Sequence, residues 1–433
     1  MVAALCSTAS AQGRLTESDF RPIEHEKAAL GRLLFYDPVL SGNKNISCGT
    51  CHHHRNAGAD QVSLGIGEGG TGIGIDRTLP PPGVSSQDRP IRKRVPRNTP
   101  ALFNLGARQI DTLFHDGRLS RSDLYGNGFN SPAEEFLPAG LDSLLGAQAL
   151  FPLTSATEMA GQAGENAIAG AANDRIDKAW DLIAARVRHV AAYGPLFSGA
   201  FQDVSASADV TIVHIANALG AFIDAEWRSH DSRWDAHLAG HRVLSTGQMR
   251  GADLFFGKAG CSGCHSGALF TDQKFHALAL PPIGPGRTRA FDPVARDVGR
   301  MGETDRLEDA YRFRTPSLRN VALTAPYGHN GAYATLDGII RHHLQPIEAL
   351  DRWTPRHAIL PSVPQDVSAT DFATLANTIE MIRLRRSIDI EPVDLDEREI
   401  ADIVDFLHSL TGGSSIHGRL GRPEQVPSGL KVD

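Results

Sequence analysis

Cys48-Gly49-Thr50-Cys51-His52 is the stretch around which this chain is organised. Its spacing, C-x-x-C-H, is the attachment signature of a c-type haem. The two thiols of such a box add to the vinyl groups of the haem, and the histidine that follows becomes a ligand of the iron. Two residues between the cysteines match the separation of the vinyl groups along one porphyrin edge. The box therefore predicts a covalently bound haem with His52 as its proximal ligand.

The same box returns at Cys261-Ser262-Gly263-Cys264-His265. Two boxes predict two haems, one in each half of the chain. Cysteine pairs also bind zinc, but structural zinc sites usually join two such pairs within about 15–20 residues. Here the pairs are far apart, and each has its own histidine. A thioredoxin-like redox pair would need a βαβ unit, for which the sequence shows no pattern.

The composition is that of a soluble globular protein, because 41% of the 433 residues are apolar and 21% are charged. The length, taken with the two boxes, indicates two domains. A net charge of −7 argues against nucleic acid as a partner and favours a basic redox protein. No stretch is apolar and long enough to predict a membrane span. Four of the five cysteines belong to the boxes and the fifth is Cys6, so no structural disulfide is expected.

Residues 1–11 form a short apolar run that ends in Ala9-Ser10-Ala11. This run resembles the end of a secretory signal with an A-x-A-like cleavage site, although it is short and lacks a positively charged start. A chance Ala-rich segment is the alternative. We favour a truncated signal because c-type haem is normally attached outside the cytoplasm, and the expected location is the periplasm.

Apolar residues at helical spacing predict a mainly α protein. The predicted helices cover 24–36, 164–192, 210–227, 245–259, 335–345, 369–384 and 396–410. Two long irregular loops are predicted where Gly and Pro accumulate, at 57–96 and 281–297. Each box follows a helix that ends in Leu-Phe-Tyr or Leu-Phe-Phe, which suggests a duplicated unit. The predicted division is an N-terminal domain at 12–205, a C-terminal domain at 206–415 and a tail at 416–433.

Several runs in this order resemble the bacterial dihaem cytochrome c peroxidases and the related MauG-like enzymes. They are LFYDPVLSGNKNISCGTCH, RNTPALFN, LFHDGR, TEMAG, GADLFFGKAGCSGCHSG, FRTPSLRNVALTAPYGHNGAYATLDG and EIADIVDFLHSLTG. They extend from about residue 24 to residue 413. The resemblance implies two cytochrome-c-like domains, with a peroxidatic haem in the first, an electron-transfer haem in the second and a calcium ion between them.

The resemblance also assigns roles by position. His52 and His265 become the proximal ligands of the peroxidatic and the electron-transfer haem. Glu158 and Gln148 fall on a distal glutamate and a distal glutamine. The calcium ligands would be the Asn98 side chain and the backbone carbonyls at Arg314 and Pro316.

Three positions depart from the family pattern. The peroxidases carry a capping histidine in the loop after the first box, but this chain has no histidine between His54 and His115, and the aligned stretch is 63–67. The first iron is therefore expected to be open, as in MauG. The second distal ligand is usually methionine, or tyrosine in MauG, and here it is His343. The aromatic residue between the haems is usually tryptophan and here is His115, so the electron path is in doubt.

Glu158 is the candidate acid–base group, because a carboxylate in a half-buried pocket has a pKa raised towards neutrality. The alternative is a glutamate that only satisfies backbone donors at a helix start. Gln148 would orient peroxide or is an ordinary surface glutamine. For the second distal ligand, the alternatives to His343 are His342, Met301 and Met381.

The sequence thus predicts a haem-dependent peroxidase that reduces hydrogen peroxide to water. Its electrons would come from a small cytochrome c or a cupredoxin, through the second haem. MauG-like oxidation of a protein residue and pure electron transfer are the alternatives. The resemblance also implies a homodimer.

Overall fold

The computed structural model describes residues 13–80, 93–289, 292 and 294–433. The predicted signal remnant at 1–11, with Cys6, lies outside the described residues, as does the middle of the 57–96 loop. Within the described part of the chain no helix is both long and apolar enough to cross a membrane.

The protein is mainly α-helical, as predicted. The helices are α1 His25–Tyr36, α2 Cys48–Cys51, α3 Leu144–Ala149, α4 Ala167–Asp174, α5 Ile176–Arg188, α6 Tyr193–Ala200, α7 Ile212–Glu226, α8 Arg233–Leu238, α9 Thr246–Phe256, α10 Met301–Thr304, α11 Leu336–Leu344, α12 Pro346–Arg352, α13 Gln365–Ser368, α14 Thr378–Arg386, α15 Glu397–His408 and α16 Gly413–His417. The strands are short and antiparallel: β1 Thr112–Leu113, β2 Leu119–Arg121 and β3 Phe129–Asn130 form one sheet, and β4 Phe275–His276 pairs with β5 Phe313–Arg314.

The part of the protein that packs around the first box is called the first half here, and the part around the second box the second half. The core of the first half forms where α1 crosses α7. The crossing is close because Gly31 has no side chain: a Cβ there would lie 1.8 Å from the Ala218 carbonyl oxygen. One turn further along each helix, the rings of Phe35 and Phe222 meet at 5.1 Å. This contact brings the end of α1 beside the first box.

The second half repeats this crossing with α9 and α15. A Cβ on Gly251 would lie 1.9 Å from the Asp402 carbonyl oxygen, and Phe255 and Phe406 meet at 5.2 Å one turn later. In both halves a glycine and the phenylalanine four residues after it lie on the same helix face. The duplicated unit that the sequence suggested therefore appears in the packing.

Two predicted helices differ from those observed. The predicted helix 369–384 begins only at Thr378, because the side chain of Asn377 accepts hydrogen bonds from the N–H groups of Ile379 and Glu380 and caps the helix there. The predicted helix 164–192 is divided at Arg175, whose extended backbone separates α4 from α5. The other predicted helices are confirmed with shifts of a few residues at their ends.

The loop after the first box is buried between the two halves. Leu64 is fully buried in a cluster with Tyr333 and Trp353 of the second half. The Ser63 N–H donates to the Ile359 carbonyl at 2.7 Å, and the Ser63 hydroxyl donates to the Gly331 carbonyl at 2.7 Å. This loop therefore joins the halves.

The segments at the proposed domain limits pack on the first half. Helix α7 lies in the same apolar cluster as α1, and this cluster extends to Trp227. The tail packs there as well: Val426 and Val432 are buried in the same cluster, and the Ser428 hydroxyl donates to Asp37 at 2.6 Å. The apolar core of the first half thus includes chain segments that come before and after the second half in the sequence.

Candidate haem sites

The first box is a single helical turn, α2, that presents its histidine in a fixed orientation. The His52 N–H donates to the Cys48 carbonyl at 2.9 Å. The His52 ring then uses Nδ1 on the Gly58 carbonyl, also at 2.9 Å. Metal-binding histidines commonly donate their other ring nitrogen in this way, which leaves Nε2 free for the metal. Burial lowers the pKa of His52 to about 4, so the ring is neutral and can act as a ligand.

The second box has the same arrangement on a 3₁₀ turn, Cys261–Gly263. The His265 N–H donates to the Cys261 carbonyl at 2.9 Å, and the ring uses Nδ1 on the Phe270 carbonyl at 3.1 Å. Burial lowers the pKa of His265 to about 4. None of the four box cysteines is in a disulfide.

His343, on α11, lies across a cavity from His265. The cavity has a volume of about 510 Å³ and is lined by both histidines and both box cysteines. The ring centres of His265 and His343 are 6.4 Å apart. A metal–imidazole bond is about 2 Å long, so two imidazoles on opposite sides of one ion have ring centres about 6 Å apart. The pair therefore fits a single iron between them.

The hydrogen bonds of α11 distinguish His343 from its neighbour. His343 uses Nδ1 on the Ile339 carbonyl at 2.8 Å, which leaves Nε2 free. In His342 both ring nitrogens are engaged, Nδ1 with the Tyr333 hydroxyl at 2.8 Å and Nε2 with the Leu278 carbonyl at 2.7 Å. Met381 lines the cavity, whereas Met301 does not. Geometry thus favours His343 over His342 and Met301.

Glu158 lies near the first box on a turn of π-helix, Ala156–Ala160. Such turns occur frequently at functional sites. The N–H groups of Glu158, Met159 and Ala160 all point at the Ser155 carbonyl, within 3.2 Å. The carboxyl is close enough for its charge to act on the Cys51 thiol. Burial raises the pKa of Glu158, and the charges of Arg118 and Arg287 with a hydrogen bond to Ser155 partly oppose this.

Gln148 and His115 occupy different surroundings. Gln148 is partly buried on α3, which packs against α7. His115 lines the cavity that holds His265, and its Nε2 lies 3.1 Å from the Asn98 carbonyl. Burial lowers the pKa of His115 to about 4, so this imidazole is neutral.

The residues predicted to bind calcium meet near His115. The Asn98 side-chain amide donates to the Val62 carbonyl at 2.8 Å, which leaves its Oδ1 as the candidate ligand atom. The Arg314 N–H donates to the His115 carbonyl at 2.7 Å. The Pro316 carbonyl lies against the His265 ring. These contacts bring the three segments together, and calcium binding itself stays a prediction.

Sequence reasoning missed an ion network between the halves. Asp116 is fully buried and accepts from Arg97 at 2.6 Å, from Arg118 at 3.0 Å and from Arg287 at 3.1 Å. Arg97 also binds Asp297 of the second half at 2.7 Å. The buried carboxylate and its three guanidiniums therefore hold the two halves together beside Glu158. The HDGR run, which contains Asp116 and Arg118, was the available signal.

Among the described residues, one further group could hold a metal ion: Cys264, Asp272 and His276. It is not an independent site, because Cys264 belongs to the second box. His53 and His54, which extend the first box, are held internally. His53 is 2% exposed, and His54 contacts the Glu226 carboxylate at 2.6 Å.

Comparisons with known proteins show which family the chain resembles. Residues 25–243 match the family described as di-haem cytochrome c peroxidase. The chain is 27% identical over 391 residues to the methylamine utilization protein MauG of Methylorubrum extorquens, covering 90% of this chain and 79% of that protein. It is 28% identical over 319 residues to the cytochrome c551 peroxidase of Pseudomonas aeruginosa, covering 73% and 71%. The crystal structure of a MauG-like protein associated with microbial copper homeostasis superposes with a TM-score of 0.60 at 28% identity, covering 94% of both chains.

Proposed function

The chain belongs to the di-haem cytochrome c peroxidase family, and from that premise we propose that it reduces hydrogen peroxide to water. One observation carries the proposal: the two boxes are alike, but a carboxylate lies near the first and an imidazole faces the second. The reaction consumes two electrons and two protons for each peroxide. The electrons come from a small redox protein, and the protons are moved by side chains of this chain.

The residues at each box fit a c-type haem. Cys48 and Cys51 would hold the first group and Cys261 and Cys264 the second, each by thioether bonds. The haems, when bound, supply the iron that binds peroxide and the electron that is passed between the halves. His52 and His265 each keep one nitrogen fixed on a backbone carbonyl and present the other. The first haem would be the peroxidatic one.

Glu158 would move the proton. As a carboxylate it accepts a proton from one oxygen of the peroxide. As a carboxylic acid it returns that proton to the other oxygen, which leaves as water. A raised pKa suits this exchange, because the carboxylic acid form is then more accessible than in an ordinary glutamate. Gln148 is proposed to orient peroxide by hydrogen bonding.

The first site is proposed to be open without prior reduction. The 63–67 stretch, where the peroxidases carry a capping histidine, contains none. Its attachment to Gly331 and Ile359 holds it in place.

The second site is proposed to transfer electrons, with His343 as its distal ligand. His265 and His343 would hold an iron from two sides, so that no ligand need be exchanged when an electron is transferred. Histidine ligation gives a lower potential than methionine ligation. His115 would lie on the path between the haems. Calcium bound by Asn98 and by the carbonyls at 314 and 316, two cytochrome-c-like domains, a periplasmic location and a homodimer remain proposals that rest on the family.

MauG-like oxidation of a protein residue is the second candidate. The observation that favours it is the length of chain that aligns with each relative. The alignment with MauG of Methylorubrum extorquens spans 90% of this chain, whereas the alignment with the cytochrome c551 peroxidase spans 73%. An open first site serves both reactions.

The test is stopped-flow mixing of the fully ferric, haem-loaded protein with hydrogen peroxide. A rapid change of the Soret band without prior reduction is expected. Steady-state oxidation of a reduced small cytochrome c by peroxide then separates peroxidase activity from oxidation of a protein residue. No spectral change until one haem is reduced would contradict the open site. Two six-coordinate haems and no reaction at all would indicate pure electron transfer.

A further inference from the structure

Arg77 is a buried arginine in the glycine-rich loop after the first box. Its side chain is 4% exposed, and all three guanidinium nitrogens donate to backbone carbonyls of the same loop. Nε donates to Ile66 at 2.6 Å, Nη2 to Gly67 at 2.6 Å and Nη1 to Gly72 at 2.9 Å. The guanidinium thus ties together both ends of the segment 66–72, which we call the clamped loop.

The clamped loop lies directly against the segment that carries Glu158. The Glu68 N–H donates to the Thr157 carbonyl at 3.2 Å. A Cβ on Gly67 would lie 2.0 Å from that same carbonyl oxygen and 2.9 Å from the Glu158 Cα. The approach is closer than any side chain at position 67 would permit, so the position of the loop fixes the backbone of Glu158.

Burial of this guanidinium is costly, because a charge loses its hydration there. Burial lowers the pKa of Arg77, and the charges of Cys51, Asp433 and Glu68 partly oppose this. Carbonyl oxygens at fixed spacing accept hydrogen bonds from its donors. A neutral side chain could also hydrogen-bond within the loop, but the planar guanidinium of arginine can donate to several carbonyls at once.

We propose that Arg77 is a positioning residue for Glu158, which holds the clamped loop as a rigid cover against residues 157–158. The inference rests on the acid–base role proposed for Glu158. Loss of the clamp releases three carbonyls, which then recruit water, and the contact of the loop with the backbone of residues 157–158 loosens. Two consequences follow: Glu158 becomes less well oriented towards peroxide, and its carboxyl becomes better hydrated.

The test compares Arg77→Ala and Arg77→Lys with the control Arg121→Ala, which removes an exposed arginine of the same half. Arg77→Ala is expected to slow the reaction with peroxide between about 10- and 100-fold, the loss typical of a small misplacement of a reacting group. The pH at which this rate reaches half its maximum should also fall, because hydration returns the Glu158 pKa towards its ordinary value. Arg77→Lys should recover part of both effects, and Arg121→Ala should show neither.

Hydrogen exchange provides a readout that is independent of activity. In the ferric protein without peroxide, Arg77→Ala should speed exchange at the amides of 66–72 and of 157–160. Arg121→Ala should leave these amides unchanged.

A second variant covers the case in which Arg77→Ala does not fold. Gly67→Ala keeps the arginine but forces the loop away from Thr157, so the same fall in the pH midpoint is expected. The proposal is overturned if Gly67→Ala, and Arg77→Ala where it folds, keep the wild-type midpoint and rate. If Glu158→Gln itself has no effect on the rate, the proposed function of Glu158 fails instead.

Discussion

The two halves of this protein are alike on one side of each haem site and different on the other. In each, a helix crosses its partner at a glycine, and two phenylalanines meet one turn later, at 5.1 Å in the first half and 5.2 Å in the second. In each, the box histidine donates Nδ1 to a carbonyl five or six residues further along the chain. The repeated unit therefore builds the attachment side of both sites and does not by itself distinguish their chemistry.

The two sites differ in the side chain that lies near each box. At the second site a helix supplies His343, whose imidazole could hold an iron together with His265. At the first, a π-helical turn supplies Glu158, whose backbone packs against the clamped loop. We therefore expect function to depend on segments that come from outside the repeated unit.

Removal of the Glu158 carboxylate should have the largest effect on the difference between the two sites. Glu158→Gln is expected to slow the reaction of the ferric protein with peroxide by about 100-fold or more, because the amide cannot accept a proton. Stopped-flow spectroscopy measures this rate. Glu135→Gln is the control, since Glu135 is an exposed glutamate of the same half. Equal rates for Glu158→Gln and wild type would remove the proposed difference between the sites.

Removal of the facing imidazole should make the second site resemble the first. His343→Ala is expected to convert one of the two haems from six-coordinate to five-coordinate or water-bound, seen by electron paramagnetic resonance and in the Soret region. Added imidazole should restore the original spectrum. His342→Ala should keep the ligation, because both nitrogens of His342 are used in hydrogen bonds. A bis-imidazole spectrum that survives in His343→Ala would contradict the assignment.

The contact between the halves can be weakened at Leu64. Leu64→Ala is expected to lower the free energy of unfolding by about 2–5 kcal/mol, because a fully buried leucine is lost from the cross-half cluster. Urea unfolding of the holoprotein, followed at both Soret bands, measures this. The control is Leu124→Ala, since Leu124 is 71% exposed. A change no larger than that of the control would mean that the loop does not join the halves.

The smallest expected effect is that the two sites respond differently to pH. Because burial raises the pKa of Glu158, its carboxyl is protonated, and cannot accept a proton, up to a higher pH than an ordinary glutamate. The peroxide rate should therefore rise with pH through a midpoint above the usual glutamate range. The spectrum of the second site should stay constant over that interval. A midpoint at the ordinary glutamate value would mean that the carboxyl is hydrated.

Local signals in the sequence were reliable where the structure is local. The boxes at 48–52 and 261–265 depend on covalent spacing, and the helix before each one depends on apolar periodicity, so both could be predicted. The helix 369–384 could not be placed correctly, because Asn377 acts as a cap only in the observed backbone conformation. The contacts of His53 and His54 could not be predicted either, since a run of three histidines carries no information about burial.

The sequence alone determined that this chain carries two C-x-x-C-H boxes and is mainly helical, and it suggested a repeated unit. The tertiary structure decided which side chains face those boxes. His342 and His343 are neighbours separated by about 100° on a helix, and only the orientation of α11 points one of them into the cavity. Arg77 and Glu158 are distant in sequence and are brought together by a loop that has no periodic pattern. Contacts of this kind depend on how separate segments pack, and a residue pattern within one segment does not record them.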